Sequence, residues 1–134
     1  MVVRDYRKIA REAARAASDK KAIKILLFDI RNESDVADFM LVAGAESSAQ
    51  MRAIEDHVEQ RLRESGVAPL HRDGHAQDRW LALDYGGFVM HILLPDAREF
   101  YRLEQMWENP KLVAWESSPP KGARNLLKPR KKSR

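Results

Sequence analysis

Residues 79–94, RWLALDYGGFVMHILL, constrain this chain more than any other stretch. Two apolar runs flank Gly86-Gly87, the pattern of two antiparallel strands joined by a tight turn. Strand side chains alternate between faces, so an even-length loop sorts them into two sets. Leu81, Leu83, Tyr85, Phe88, Met90 and Ile92 form one set, which reads as core. Trp80, Ala82, Asp84, Val89, His91 and Leu93 form the other, placing an indole, a carboxylate and an imidazole among small apolar groups. Covered by a helix, that face would need partners for its polar atoms. Left open, it has the composition of a protein-binding hot spot. The residues alone support both readings.

The flanking segments supply what packs against such a hairpin. Residues of about 4–17 predict a helix, with Tyr6, Ile9, Ala10, Ala13 and Ala17 at three- and four-residue spacing. AIKILLFDI (22–30) predicts a largely buried strand, and DFMLVAG (38–44) a second. Ser47 followed by Gln50 matches a helix capping box. Met51, Ile54, Val58 and Leu62 continue the apolar stripe, and Gly66 stands at the place of a left-handed cap. APLHRDG predicts a short strand or an extended lead-in to the hairpin. PDAREFYRLEQMW (95–107) predicts a last helix, with Pro95 and Asp96 in its first turn and Phe100, Leu103, Met106 and Trp107 as its stripe. The order α-β-β-α-β-β-β-α implies an α/β (α+β) domain, one mixed sheet of about five strands with helices packed on it. The domain is expected to span residues 1–109, and 110–134 to form a basic, disordered tail.

Charge is distributed to match. The 134 residues carry a formal charge of +4, but seven basic and no acidic residues fall after position 116. The first 116 residues hold 17 basic and 20 acidic groups, a net of −3, so the body is not a general nucleic-acid binder. Lys128, Arg130, Lys131 and Lys132 in the tail suit phosphate contact by counterion release. The absence of cysteine excludes disulfides and thiolate chemistry. No apolar run is long enough to span a bilayer, and Asp5 and Glu12 argue against an organelle presequence. A soluble, cytoplasmic protein is expected.

Two clusters could carry metal chemistry. His71, Asp73, His75 and Asp78 fall within eight residues, but a polar loop does not ensure converging ligands. Asp29 and Asp38 stand at strand ends, where paired carboxylates could hold Mg²⁺ for nucleotidyl transfer. The nearby GAESS loop has a single glycine, poor for cradling phosphates, and turn and cap chemistry at strand ends accounts for both aspartates without a metal.

Five blocks resemble the ribosomal silencing factor, or Iojap-like, family: KKAIKILLFDI (20–30), SDVADFMLV (34–42), SSAQMRAI (47–54), RWLALDYGGFVMHIL (79–93) and REFYRLEQMW (98–107). Trp80, Asp84, Tyr85, Gly86, His91, Arg98, Tyr101, Leu103, Glu104 and Trp107 stand at the family's spacing. Ala45 and Ala49 replace the family's usual glycine and arginine around the capping Ser47, so the resemblance assigns no contact to that loop. It implies a nucleotidyltransferase-like fold without catalysis or cofactor. It also implies a partner, ribosomal protein L-fourteen on the large ribosomal subunit, where binding would exclude the small subunit and repress translation under nutrient limitation. Trp80, Asp84, Tyr85, His91, Arg98, Tyr101, Glu104 and Trp107 are then the expected partner-binding residues, with Trp80 as anchor. Leu103 is expected to pack the helix onto the sheet, and Arg98 to pair with Asp84 or Glu104. A homodimer is compatible with an exposed apolar face. The alternative is a metal-dependent nucleotidyltransferase-like enzyme using Asp29 and Asp38.

Overall fold

The structure, a computed structural model, describes residues 4–74 and 78–116. Helix α1 (Tyr6–Asp19) starts where the Asp5 carboxylate accepts a hydrogen bond from the Lys8 amide at 3.1 Å. Its buried face is Ile9 with Ala10, Ala13, Ala14, Ala16 and Ala17, and the small side chains let the helix lie close to its neighbours. Helix α2 (Ser48–Glu64) begins at the expected cap, with Ser47 Oγ accepting from the Gln50 amide at 3.1 Å. The Gln50 side chain reaches back one residue further than a standard box and accepts from the Glu46 amide at 2.7 Å. Its Nε2 also donates to the carbonyls of Lys20 and Lys21, tying the start of α2 to the end of α1.

These two helices cover one face of a six-stranded sheet of order β3-β4-β5-β2-β1-β6. The strands are β1 (Ile23–Asp29), β2 (Phe39–Gly44), β3 (His71–Asp73), β4 (Trp80–Asp84), β5 (Phe88–Leu93) and β6 (Lys111–Leu112). β2 and β5 pair in parallel and every other neighbour is antiparallel, so the sheet is mixed. The β4–β5 register sets Trp80 opposite Leu93, Ala82 opposite His91 and Asp84 opposite Val89, the two faces expected from alternation. Leu81, Leu83, Tyr85, Phe88, Met90 and Ile92 are buried beneath the helices together with Leu27, Leu41, Met51, Ile54, Val58 and Leu62. Each such aliphatic or aromatic side chain stabilises the fold by about 1.5–3 kcal/mol. On the edge strand, Arg72 reaches across to Glu55 and Glu59 of α2, which accounts for a buried carboxylate at Glu55.

The structure corrects the expectation in two places. The helix expected over 95–107 is α3 (Pro95–Tyr101) only. Arg102 takes a left-handed conformation (φ 49°), and Leu103–Gln105 form a separate 3₁₀ turn. Phe100 and Met106 therefore do not share the buried stripe with Leu103. They are exposed, while Ala97, Arg98 and Leu103 face the sheet. The expected boundary at residue 109 also falls short of the packed chain. Lys111 and Leu112 pair with Asp29 and Phe28, and the Val113 amide donates to Leu27 O at 2.8 Å. This sixth strand satisfies an edge of β1 that would otherwise be left unpaired. The segment 117–134, with Lys128, Arg130, Lys131 and Lys132, lies outside the described residues.

Candidate protein-binding face

The second sheet face is divided. Over β1 and β2, the side chains of Phe28, Ile30, Met40 and Val42 are buried under Ala97, Leu103 and the partly buried Trp107. Over β4 and β5, Trp80, Ala82, Asp84, Val89 and His91 are only partly buried, because α3 is too short to reach across them. Half of the face is thus core and half is open. The core reading of its composition holds for the covered half.

Within the open half the polar groups have defined partners. Trp80 Nε1 donates to His91 Nδ1 at 3.0 Å, so the imidazole is neutral with its proton on Nε2. Burial pushes the His91 pKa down to about 4, which keeps this acceptor available at neutral pH. Asp84 Oδ1 accepts from the Gly86 amide at 2.8 Å, shaping the hairpin turn where Gly86 has φ +98°. The Trp80 ring leans on Tyr101 with centroids 4.5 Å apart, and Phe100 meets Tyr101 edge-on at 5.0 Å. Arg79, Trp80, Asp96, Phe100 and Tyr101 line a hollow at this corner, where Arg79 pairs with Asp96 at 2.6 Å.

Three expected contact residues serve the interior instead. Tyr85 lies on the helix-covered face, buried and stacked on Phe88, and burial pushes its phenol pKa up. It is the alternation that puts it there, two positions from Leu83. Arg98 is 7% exposed; its Nε donates to Glu104 at 3.3 Å and its Nη1 to the Ile23 carbonyl at 3.2 Å. Of the two pairings expected for Arg98, the structure thus shows the one with Glu104. Trp107 packs over the covered half, its Nε1 donating to Met40 Sδ at 3.5 Å. Phe100, by contrast, is 79% exposed beside Tyr101 and does not belong to the expected set. The apolar stripe read from sequence places it in the core, but within α3 it does not share the side of Ala97 and Arg98, which face the sheet.

Of the candidate metal positions, Asp29 is otherwise engaged. Arg31 grips Asp29 with Nε and Nη2 at 3.0 and 2.7 Å, and its backbone amide adds a bond at 3.1 Å. Arg7 approaches the same carboxylate at 3.5 Å, and both guanidinium groups lie over the Phe39 ring. The Arg31 hydrogen bonds hold the Asp29 carboxyl below the usual range. A divalent cation would have to displace these groups, and Asp38 is an exposed residue whose amide bonds to Gly87 O. His71 and Asp73 are exposed on β3, while His75 lies outside the described residues. Among the described residues no group of three or more His, Asp or Glu side chains could hold a metal, and no helix is long and apolar enough to cross a membrane.

The family described as "Ribosomal silencing factor during starvation" matches residues 3–134 of this chain. The chain belongs to that family. The ribosomal silencing factor of Bacillus subtilis is 33% identical over 109 residues, covering 81% of this chain and 92% of its own. The chloroplastic Iojap protein of Zea mays is 32% identical over 99 residues, 72% of this chain and 42% of its own. A crystal structure of a Chromobacterium violaceum protein superposes with a TM-score of 0.74 at 28% identity, covering 85% of this chain and 98% of that one. Silencing factors are regulators of the ribosome rather than enzymes.

Proposed function

We propose that this silencing factor acts in the cytoplasm by binding the large ribosomal subunit through ribosomal protein L-fourteen. From there it excludes the small subunit and represses translation when nutrients are limiting. The observation that carries the reading is the open half of the second sheet face, where Trp80, Tyr101 and Phe100 cluster beside His91, with Asp84 at the hairpin end of the same strand. A standard interface buries about 800 Å² per partner, an area that half a sheet face and a short helix can supply. The mechanism is steric and uses no cofactor. The basic segment after residue 116 adds contacts to ribosomal RNA phosphates, tethering a body that is itself mildly acidic. Self-association of free protein through the same aromatic patch would compete with ribosome binding.

Sedimentation of purified subunits at magnesium levels that favour whole ribosomes tests this directly. Free subunits should accumulate when the protein is added, with the protein travelling on the large subunit alone. Undiminished whole ribosomes and unbound protein would refute it.

A further inference from the structure

The mild acidity of the domain conceals a division of charge. Residues 4–31 carry nine basic and four acidic side chains, residues 32–116 eight basic and sixteen acidic. On α1 the basic groups form a stripe: Lys8, Arg11 and Arg15 recur at three- and four-residue spacing, with Arg4 and Arg7 at its start. The acidic groups of the helix turn toward α2, where Arg61 meets Glu12 at 3.3 Å and Asp19 at 2.7 Å. Asp29, near the start of the stripe, is held by Arg31 and approached by Arg7. Among the described residues, no carboxylate pairs with Arg4, Lys8 or Arg11. The outer side of α1 is positive along its length.

Helix stability does not call for this pattern. Arg7 and Lys8 stand at neighbour spacing from Arg11, and Arg11 from Arg15, like-charge pairs that weaken a helix. Inside the cap at Asp5, the first turn holds Arg7 and Lys8 and no acidic side chain, and the last turn no basic one. That is the reverse of what the helix dipole favours. Both penalties are relieved by an anion lying along the stripe. The apolar residues of α1, Ile9 and five alanines, are already buried in the core, so none is left to enter a bilayer as a surface-lying helix does. No large hydrophobic side chain of α1 is exposed to anchor a protein there. Arginine predominates, and its planar fork suits two-point contact with phosphate oxygens.

With the ribosomal reading above deciding the polyanion, we propose that the outer stripe of α1 is a second binding surface, for the phosphate backbone of large-subunit RNA. It is separate from the face that carries Trp80, because α1 covers the other side of the sheet. Val113 and Trp115 pack on the α1 side, so the chain heads into its basic final segment from there.

The test uses the full-length protein, so that the segment after residue 116 is common to every variant. Binding to protein-free RNA extracted from large subunits is measured by filter retention over a series of salt concentrations. Lys8→Gln with Arg11→Gln should bind about tenfold or more weakly at low salt, and the slope of log K against log salt should be shallower by about 1.4–1.8. Arg11→Lys, which keeps the charge, should bind nearly as the unaltered protein does. The double variant should melt no lower than the unaltered protein, since like-charge repulsion is removed. Equal affinity and slope overturn the proposal. So does an unchanged RNA affinity with lost binding to vesicles of anionic phospholipid, which would give the stripe to a membrane surface. Should the double variant unfold, Arg4→Gln with Lys8→Gln, both exposed side chains, decides in its place. Bare RNA decides the stripe whether or not intact subunits are bound, and failure to bind intact large subunits refutes the ribosomal reading alone.

Discussion

The ring of Tyr6, at the start of α1, lies across Gly87 so closely that a Cβ on that glycine would stand 2.4 Å from Tyr6 Cδ2 and 2.8 Å from its Cγ. The clash would fall at the base of the ring, so it cannot be relieved by swinging a flexible tip aside. The hairpin turn thereby seats the first turn of α1 and joins the two ends of the helix-covered core. Gly87→Ala should cost about 1–3 kcal/mol through this overpacking. In urea melts the loss should shrink when Tyr6→Ala is added to Gly87→Ala, the non-additivity expected of touching residues. Strict additivity would mean that the two do not meet.

Arg98 and Glu104 form a second such joint. The guanidinium passes beside Gly44, where an added Cβ would be 3.2 Å from Nη1, and it holds both the Ile23 carbonyl and the Glu104 carboxylate. This pair closes α3 onto the 3₁₀ turn that carries Leu103. Glu104→Ala strands a buried positive charge and should destabilise by about 3 kcal/mol. The double change of Arg98→Met with Glu104→Leu should recover part of that loss, because an apolar pair needs no charge compensation. Chemical denaturation of the three proteins measures it.

His91 should make stability depend on pH. Its folded pKa of about 4 lies below the unfolded value of about 6.5, so the unfolded chain binds more protons between them. The contribution is fully present above pH 6.5 and is lost as pH falls through 4, amounting to at most about 3 kcal/mol. Glu59 acts in the opposite sense, since burial raises its pKa and favours the folded state at low pH. Comparison of the unaltered protein with His91→Gln isolates the histidine: the variant should lose the slope between pH 6.5 and 4. Parallel curves would show that His91 titrates normally.

Truncation after Glu116 removes seven basic residues but keeps β6, Val113 and Trp115, which belong to the packed domain. The shortened chain should melt as the full one does, yet bind large subunits less tightly and with a shallower salt dependence. For every phosphate that the tail neutralises, the slope of log K against log salt should fall by about 0.7–0.9 on truncation. An unchanged slope would remove the tail from the ribosomal interface.

Much of the architecture was legible in local chemistry. Alternation with period two assigned every residue of 80–85 and 88–93 to its face, because a two-residue loop leaves no freedom of register. The Ser47–Gln50 cap and the Met51, Ile54, Val58 and Leu62 stripe located α2 for the same reason: a hydrogen bond and a period are encoded within a few residues of each other. Of the expected site, Trp80 touches His91 and Tyr101 on the second face, and Asp84 lies on that face at the hairpin end of β4.

The remainder depended on residues distant in sequence. Lys111 and Leu112 have no periodicity of their own and become a strand only because β1 offers them an unpaired edge. Phe100 reads as core in the apolar stripe of 95–107 and is surface in the structure, where Ala97 and Arg98 take the sheet-facing side of α3. Likewise Arg98 bears a charge that pattern alone sends outward, yet Ile23 O and Glu104 receive it inside. Periodicity places a side chain on a face. Whether that face is covered, and whether a buried polar atom finds its partner, is settled by elements that chain order alone does not bring together.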